Sequence, residues 1–224
     1  MTLFYERLFV MKYKAYIFDF DLTLVNSVSP IVKCFKHTLK SFGYEIPEDK
    51  AIIDTIGLPL TDAFDILTGL YPVPEKEQMR KTYVEFANGI MAKESVFYPD
   101  ALGILQALVT AKRKVAIVSS KMRFRIVETF ECQTASMPVD LIIGLDDVNA
   151  PKPDPAGIEY AIDKLGVSKS DVLYIGDSYI DAETALNAGV DFAGVCTGPT
   201  PKEKLLSYPN ICVGDSLTEI FTVI

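Results

Sequence analysis

Six short apolar runs punctuate the chain, at residues 13–18, 114–118, 139–143, 172–175, 190–195 and 211–213. They are nearly continuous rather than alternating, as in parallel strands covered on both faces. Between them lie segments with apolar spacing near three and four, at 100–112, 121–131, 155–165, 179–188 and 216–222. Asp100 and Ser216 suit helix N-caps, Pro155 a first turn, and Gly166 and Gly189 helix stops. This alternation confines the chain to an α/β fold: a doubly wound, mostly parallel, Rossmann-like sheet.

The rhythm breaks once. Residues 26–95 offer no strand and read as helices near 29–42, 48–55, 60–69 and 75–92, punctuated by Gly43, Pro47, Gly57, Pro59, Pro72 and Pro74. The simplest arrangement is an all-helical cap domain, 26–95, inserted into a core made of 1–25 and 96–224. With 224 residues, 49% hydrophobic and 23% charged, the chain is long enough for both. Residues 1–10 read equally as an extension upstream of Met11 or as a short helix over the domain edge. Glu6 and Arg7 make them a poor signal peptide. No run reaches the ~18 apolar residues of a membrane helix, and a formal charge of −8 disfavours nucleic acid as a partner. Cys34, Cys132, Cys196 and Cys212 form no C-x-x-C pair, which suits free buried thiols in a reducing cytoplasm.

In an open α/β sheet, ligands bind beyond the carboxyl ends of the strands. The stretch "IFDFDLTLVNS" (17–27) delivers Asp19, Asp21 and Thr23 to the end of the first strand. The second strand delivers Ser119 and Ser120, followed by Lys121. The loop "DDVNAPKPDP" after the third carries Lys152, and "GDSYID" after the fourth gives Asp177 and Asp181. Each has an ordinary reading alone: a solvated turn for Asp19 and Asp21, helix caps for Ser119 and Asp177, a first-turn acid for Asp181, a loop lysine for Lys152. Four successive strand ends supplying acid, hydroxyl, amine and acid outweigh those readings, and the set suits phosphoryl transfer. Magnesium prefers a few carboxylate oxygens plus waters and substrate phosphate, which Asp19, Asp177 and Asp181 can supply. Asp19 is placed to attack phosphorus as a nucleophile and Asp21 to serve as general acid and base. Ser119 can hold phosphate oxygens, and Lys152 can neutralise charge on the nucleophile and the transferring group.

These motifs resemble the haloacid dehalogenase-like hydrolase superfamily, in particular its phosphoglycolate phosphatase-like branch. D-x-D-x-T is matched by Asp19, Asp21 and Thr23, the strand-two hydroxyl by Ser119, the lysine of K-P-x-P by Lys152, and G-D-x-x-x-D by Gly176, Asp177 and Asp181. "GLPLTDAF" (57–64) resembles the branch's cap turn and "GVCTGPTPKEKL" (194–205) its late loop. The resemblance implies Asp19 as nucleophile, Asp21 as acid–base, and Mg2+ held by Asp19, Asp177 and the main-chain carbonyl of Asp21. Thr23, Ser119, Ser120 and Lys152, with Arg80 from the cap, make up the expected substrate-binding set. The implied activity is a phosphatase for a small phosphorylated metabolite such as phosphoglycolate, acting through an aspartyl phosphate. Pyrophosphate hydrolysis and sugar-phosphate mutation are the alternatives.

Leu22 stands where the branch usually has glycine, Asn26 where it has aspartate and Ser120 where it has asparagine. These departures bear on substrate rather than reaction. In the mutase frame G-x-S-R-x-x-S, Leu60 replaces arginine and Ala63 serine, against a bisphosphate intermediate. A phosphonate hydrolase would want lysine at position 60 and no second acid, and a dehalogenase would also lack Asp21. A phospho-receiver would be shorter and uncapped, and no G-x-x-x-x-G-K-[ST] or G-x-G-x-x-G run marks a nucleotide site. His37, the only histidine, reads as a surface or half-buried helix position between lysines rather than a catalytic one. Arg80 and Tyr83 share a helix face that points either to the cleft or to solvent. Phe35, Phe42, Phe64 and Phe86 read as the cap's own core, and Asp146 and Asp147 as loop acids. A monomer and a homodimer fit equally.

Overall fold

The computed structural model describes residues 12–224, so both readings of residues 1–10 fall outside the described residues. Six strands form one sheet in the order β5-β4-β1-β6-β7-β8: β1 (Ala15–Phe18), β4 (Lys114–Val118), β5 (Leu141–Ile143), β6 (Val172–Gly176), β7 (Asp191–Val195) and β8 (Cys212–Gly214). Every pairing in it is parallel. The chain runs outward from β1 through β4 to β5, then crosses back to β6 on the other side. That reversal at β1 is the switch point where such sheets open a ligand crevice.

Strand periodicity explains the two layers. Tyr16 and Phe18 point into a core with Ile104 and Leu105 of α5 (Ala101–Thr110), Phe130 of α6 (Arg123–Gln133) and Phe221 of α10 (Leu217–Val223). Ala15 and Ile17 point the other way, toward Ile158 of α7 (Ala156–Leu165), Ala182 and Ala185 of α8 (Tyr179–Ala188) and Leu205 of the short α9 (Lys202–Leu206). Gly166 and Gly189 end α7 and α8 in the left-handed conformation, and the Ser216 hydroxyl caps α10 by accepting from Glu219 N. Asp100 behaves differently from expectation. Its carboxylate makes no bond to its own helix and accepts instead from Thr218 N at 2.8 Å and Thr218 Oγ1 at 3.0 Å, tying α5 to the start of α10.

The helical insert comprises α1 (Val28–Ser41), α2 (Asp49–Ile53), α3 (Leu60–Thr68) and α4 (Lys76–Glu94). Phe35, Phe64 and Tyr83 pack edge to face at its centre, with ring centroids 5.0 to 6.2 Å apart. Phe42 and Phe86 lie at the margin of this core, and Phe86 stacks on the exposed ring of His37 at 4.0 Å. The expectation that 26–95 holds no strand needs one correction. A two-stranded antiparallel ribbon, β2 (Val25–Asn26) with β3 (Val96–Phe97), closes the base of the insert, pairing Asn26 with Val96. Two residues per strand leave no periodic signal to read. The cap is docked on the core: Arg125 of α6 donates to Val84 O at 3.2 Å and to Asn88 Oδ1, and Gln133 donates to Ala92 O and Lys93 O. Among the described residues, no helix is long and apolar enough to cross a membrane.

Candidate active site

β1 runs straight into the site. Asp19 follows its last residue and is 4% exposed. The chain then turns through Phe20–Val25, with Leu24 N and Val25 N donating back to Phe20 O. Leu22 sits in this turn at φ 60°, a left-handed conformation that costs a non-glycine residue about 1–2 kcal/mol. Its side chain is 1% exposed and belongs to the cap's hydrophobic cluster, and burying a leucine contributes about 2 kcal/mol. Packing thus offsets the strain where glycine would avoid it, and the same residue pins the turn to the cap.

Three carboxylates converge beyond β1 and β6. Asp19, Asp177 and Asp181 are all buried and place carboxylate oxygens within 4.8 Å of one another. Lys152 enters from the loop after β5, with Nζ 3.0 Å from Asp19 Oδ1 and 2.6 Å from Asp181 Oδ1. The contact to Asp19 is an ion pair outside hydrogen-bond geometry, so Asp19 Oδ1 is left without a hydrogen bond. Asp181 is heavily engaged. Its Oδ2 accepts from Ser178 N at 3.1 Å and Ser178 Oγ at 2.5 Å, while the Ser178 hydroxyl accepts from Asp181 N. Ser178 is therefore the cap of α8, and Asp177 is free for other work. Tyr174 of β6 places its hydroxyl 2.9 Å from Asp181 Oδ1, 3.2 Å from Lys152 Nζ and 3.1 Å from Val118 O.

Burial drives the electrostatics. Desolvation pushes Asp19 up to about 6 from an ordinary 3.8, opposed by Lys152 and reinforced by Asp181. Asp177 is pushed well above the usual carboxylate range by burial first, then by the charges of Asp181 and Asp19. Burial alone would lower Lys152, but Asp181 and Asp19 outweigh it and hold the ammonium above its ordinary value. Three carboxylates against one ammonium leave a buried excess of negative charge on hard oxygen donors, with one oxygen accepting no hydrogen bond. That fits a divalent cation.

Asp21 stands apart from this cluster. Both its oxygens accept from Lys121 Nζ, at 2.8 and 2.9 Å. The carboxylates grouped closely enough to hold a cation are therefore Asp19, Asp177 and Asp181, without the side chain of Asp21. Thr23 also departs from its expected place. It is fully buried, does not line the cavity, and donates to Asp177 Oδ1 at 2.8 Å. Its role is to orient a carboxylate, because the turn carries its hydroxyl toward β6. Ser119 and Ser120 do face the cavity, and Ser120 Oγ is buried without a hydrogen bond. Arg80 and Tyr83 line the cavity too, though the Arg80 guanidinium is bonded to Glu77 at 2.7 and 2.9 Å. Asp146 and Asp147 accept from the main-chain N–H groups of Arg123 and Gly144, as loop acids do.

Three contributors escape a sequence reading. Lys121 and Tyr174 gain partners only when β1, β4 and β6 lie side by side. Gly198 lies against Asp177 so closely that a Cβ there would sit 1.8 Å from Asp177 Oδ2. Its neighbour Thr197 donates to Leu22 O, so one loop braces both the β1 turn and the Asp177 carboxylate. Gly176 is similar: a Cβ there would lie 2.4 Å from the Cβ of Asp181.

Above the carboxylates, between core and cap, lies a cavity of about 270 Å³. Asp19, Ser119 and Ser120 form its floor.

This core, cap and carboxylate set can be placed among known proteins. Residues 16–195 match the model of the haloacid dehalogenase-like hydrolase family. The chain belongs to that family. A crystal structure of a haloacid dehalogenase-like hydrolase from Bacteroides fragilis superposes with a TM-score of 0.90 at 39% identity, over 93% of this chain and 100% of that one. Pyrophosphatase PpaX from Listeria innocua is 29% identical over 212 residues, 93% of this chain and 94% of its own length. A structure described as a phosphoglycolate phosphatase from Haemophilus somnus has a TM-score of 0.85 at 19% identity, covering 95% of this chain and 98% of that one, a likeness of fold alone. Family membership and the buried carboxylates together make this member of the haloacid dehalogenase-like family a phosphohydrolase enzyme.

Proposed function

We propose that the protein is a Mg2+-dependent hydrolase of a small phosphorylated metabolite that passes the phosphoryl group through a covalent ester on Asp19. The observation that carries this reading is Asp19 Oδ1, ion-paired with Lys152 at 3.0 Å yet accepting no hydrogen bond, on the floor of the cavity, with Asp177 and Asp181 close by. In the first half-reaction an oxygen of Asp19 bonds to phosphorus as the bond to the leaving oxygen breaks, and Asp21 gives that oxygen its proton. In the second, water attacks phosphorus, the bond to Asp19 breaks, and Asp21 takes the proton from water. Lys121 holds Asp21 in its ionised form, the form that takes the proton from water, and one of its two bonds must open for Asp21 to carry the proton it gives the leaving oxygen. Ser119 and Ser120 orient the phosphoryl oxygens, and Lys152 offsets charge on Asp19. Asp19, Asp177 and Asp181 would hold the cation, with Asp21 contributing at most its main-chain carbonyl. Bound Mg2+ supplies Lewis-acid polarisation of the phosphoryl group. The docked cap keeps bulk water from the ester. The four thiols are free, as a reducing cytoplasm would keep them, but only Cys34 is buried: Cys132 is exposed and Cys196 and Cys212 are half-buried.

Pyrophosphate is a second reading of the substrate. The curated relatives favour it over phosphoglycolate, since the pyrophosphatase likeness spans both chains nearly end to end. Both substrates share the transfer to Asp19 and differ only in what leaves. The test is stereochemical: two in-line displacements retain configuration at a chiral phosphorus, and acid-quenched enzyme carries one phosphoryl group on the peptide containing Asp19. Inversion, or no phosphopeptide under rapid quench, refutes the covalent route.

A further inference from the structure

The cavity has two chemically distinct ends. Its floor is polar, with Asp19, Asp21, Ser119 and Ser120. Its roof and walls are mostly apolar and draw on the cap: Phe35 of α1, Leu58 just before α3, Leu60 at its start and Met91 of α4 among them. The core rim adds Met122 and Phe124, which stay partly exposed at the mouth. Among the described residues three cations also border the cavity, and each already has a partner. Lys121 is bonded to both oxygens of Asp21, Arg80 to both oxygens of Glu77, and Arg125 to Glu128, Asn88 and Val84 O. A doubly charged leaving group such as phosphate, or a carboxylate such as glycolate, would enter this end without a cation free to receive it, which is costly in an apolar enclosure.

We propose that the group leaving Asp19's side of the site is an uncharged, largely apolar alcohol, so that the physiological substrate class is a phosphomonoester carrying a short aliphatic or single-ring aromatic body under the cap. This rests on the phosphohydrolase reading above and narrows its substrate. Size agrees: a dry apolar cavity of about 150 Å³ accepts a benzene ring, and about 270 Å³ leaves room for a phosphoryl group as well. Apolar burial also gives the cap a reason to stay shut, because the substrate's body would bridge Leu60 and Met91 above to Met122 below.

The test is a chain-length series, methyl through hexyl phosphate, with phenyl phosphate, phosphoglycolate and pyrophosphate, all assayed as kcat/KM with saturating Mg2+. Each buried methylene should raise kcat/KM about fourfold, with a plateau once the cavity is full, and phenyl phosphate should exceed phosphoglycolate and pyrophosphate. Leu60→Lys places a cation in the apolar wall at a partly exposed position. It should flatten the alkyl slope and shift preference toward phosphoglycolate, with an unchanged melting curve showing that the variant is folded. Hydrolysis of pyrophosphate or phosphoglycolate with a flat alkyl series overturns this inference and leaves the phosphohydrolase reading standing. No hydrolysis of any member removes both.

Discussion

Gly198 offers the sharpest probe of how the site is held. A Cβ at this position would stand 1.8 Å from Oδ2 and 2.7 Å from Cγ of Asp177, where ordinary contact begins near 3.4 Å. Gly198→Ala therefore forces a displacement of about 1.5 Å. The loop resists giving way. Thr197 donates to Leu22 O, Cys196 N donates to Gly214 O at 2.9 Å, and Thr200 Oγ1 accepts from Tyr179 N at 3.2 Å. The carboxylate must move instead, and its bond from Thr23 Oγ1 is lost with it. Disturbing the groups that orient a metal ligand costs about 10- to 100-fold in affinity or activity, and an ångström of misplacement about 100-fold in rate. Phosphate release titrated with Mg2+ should show the half-saturating concentration raised about 10- to 100-fold. The melting temperature without metal should fall modestly, as for an overpacking cost of about 1–3 kcal/mol. Gly89→Ala, in the interior of α4 with nothing within 4 Å of the new methyl, is the control and should leave the Mg2+ dependence unchanged. A Gly198→Ala enzyme whose half-saturating Mg2+ lies within twofold of wild type would refute the idea that this loop positions Asp177.

Thr23→Val removes the buried donor to Asp177 while keeping the shape. It should cost about 1–3 kcal/mol of stability and weaken Mg2+ about tenfold, read by thermal melting and by metal titration. Asp19→Asn should abolish turnover and the acid-stable phosphopeptide while the far-UV spectrum stays native; a rate above a few per cent of wild type would show that Asp19 is not the nucleophile. The pH dependence follows from Asp19, whose folded value of about 6 lies above 3.8. The folded chain then binds that proton more tightly than the unfolded one, so this contribution is present below about pH 4 and is lost as pH rises through about 6, up to about 3 kcal/mol. Asp177 shifts in the same direction. The rise in melting temperature on adding Mg2+ should therefore grow between pH 4 and pH 7, and an increment independent of pH would show that the cation does not neutralise these carboxylates.

The parts of this enzyme that were legible in the sequence are those with local physical signatures. Strands covered on both faces must be apolar throughout, so β1, β4, β6 and β7 stand out as runs. The strand-end acids stand out because charge seldom follows such a run without purpose. The helical insert is visible because its periodicity changes and stays changed. What the sequence conceals is reciprocity across the fold. Thr23 reads as a phosphate ligand until the β1 turn is seen to carry it 154 residues along the chain to Asp177. Tyr174 reads as core, since its ring is core and only its hydroxyl reaches Lys152 and Asp181. Lys121 reads as the residue after a serine pair, although it holds the Asp21 carboxylate 100 residues away. Leu22 reads as a departure from glycine, and its positive φ makes sense only with the cap's hydrophobic cluster in place. Each concealed residue joins two segments whose separation exceeds any periodicity. The side chains that gather at the site were therefore readable from residue types at strand ends, while its rigidity comes from pairings that only the assembled sheet creates.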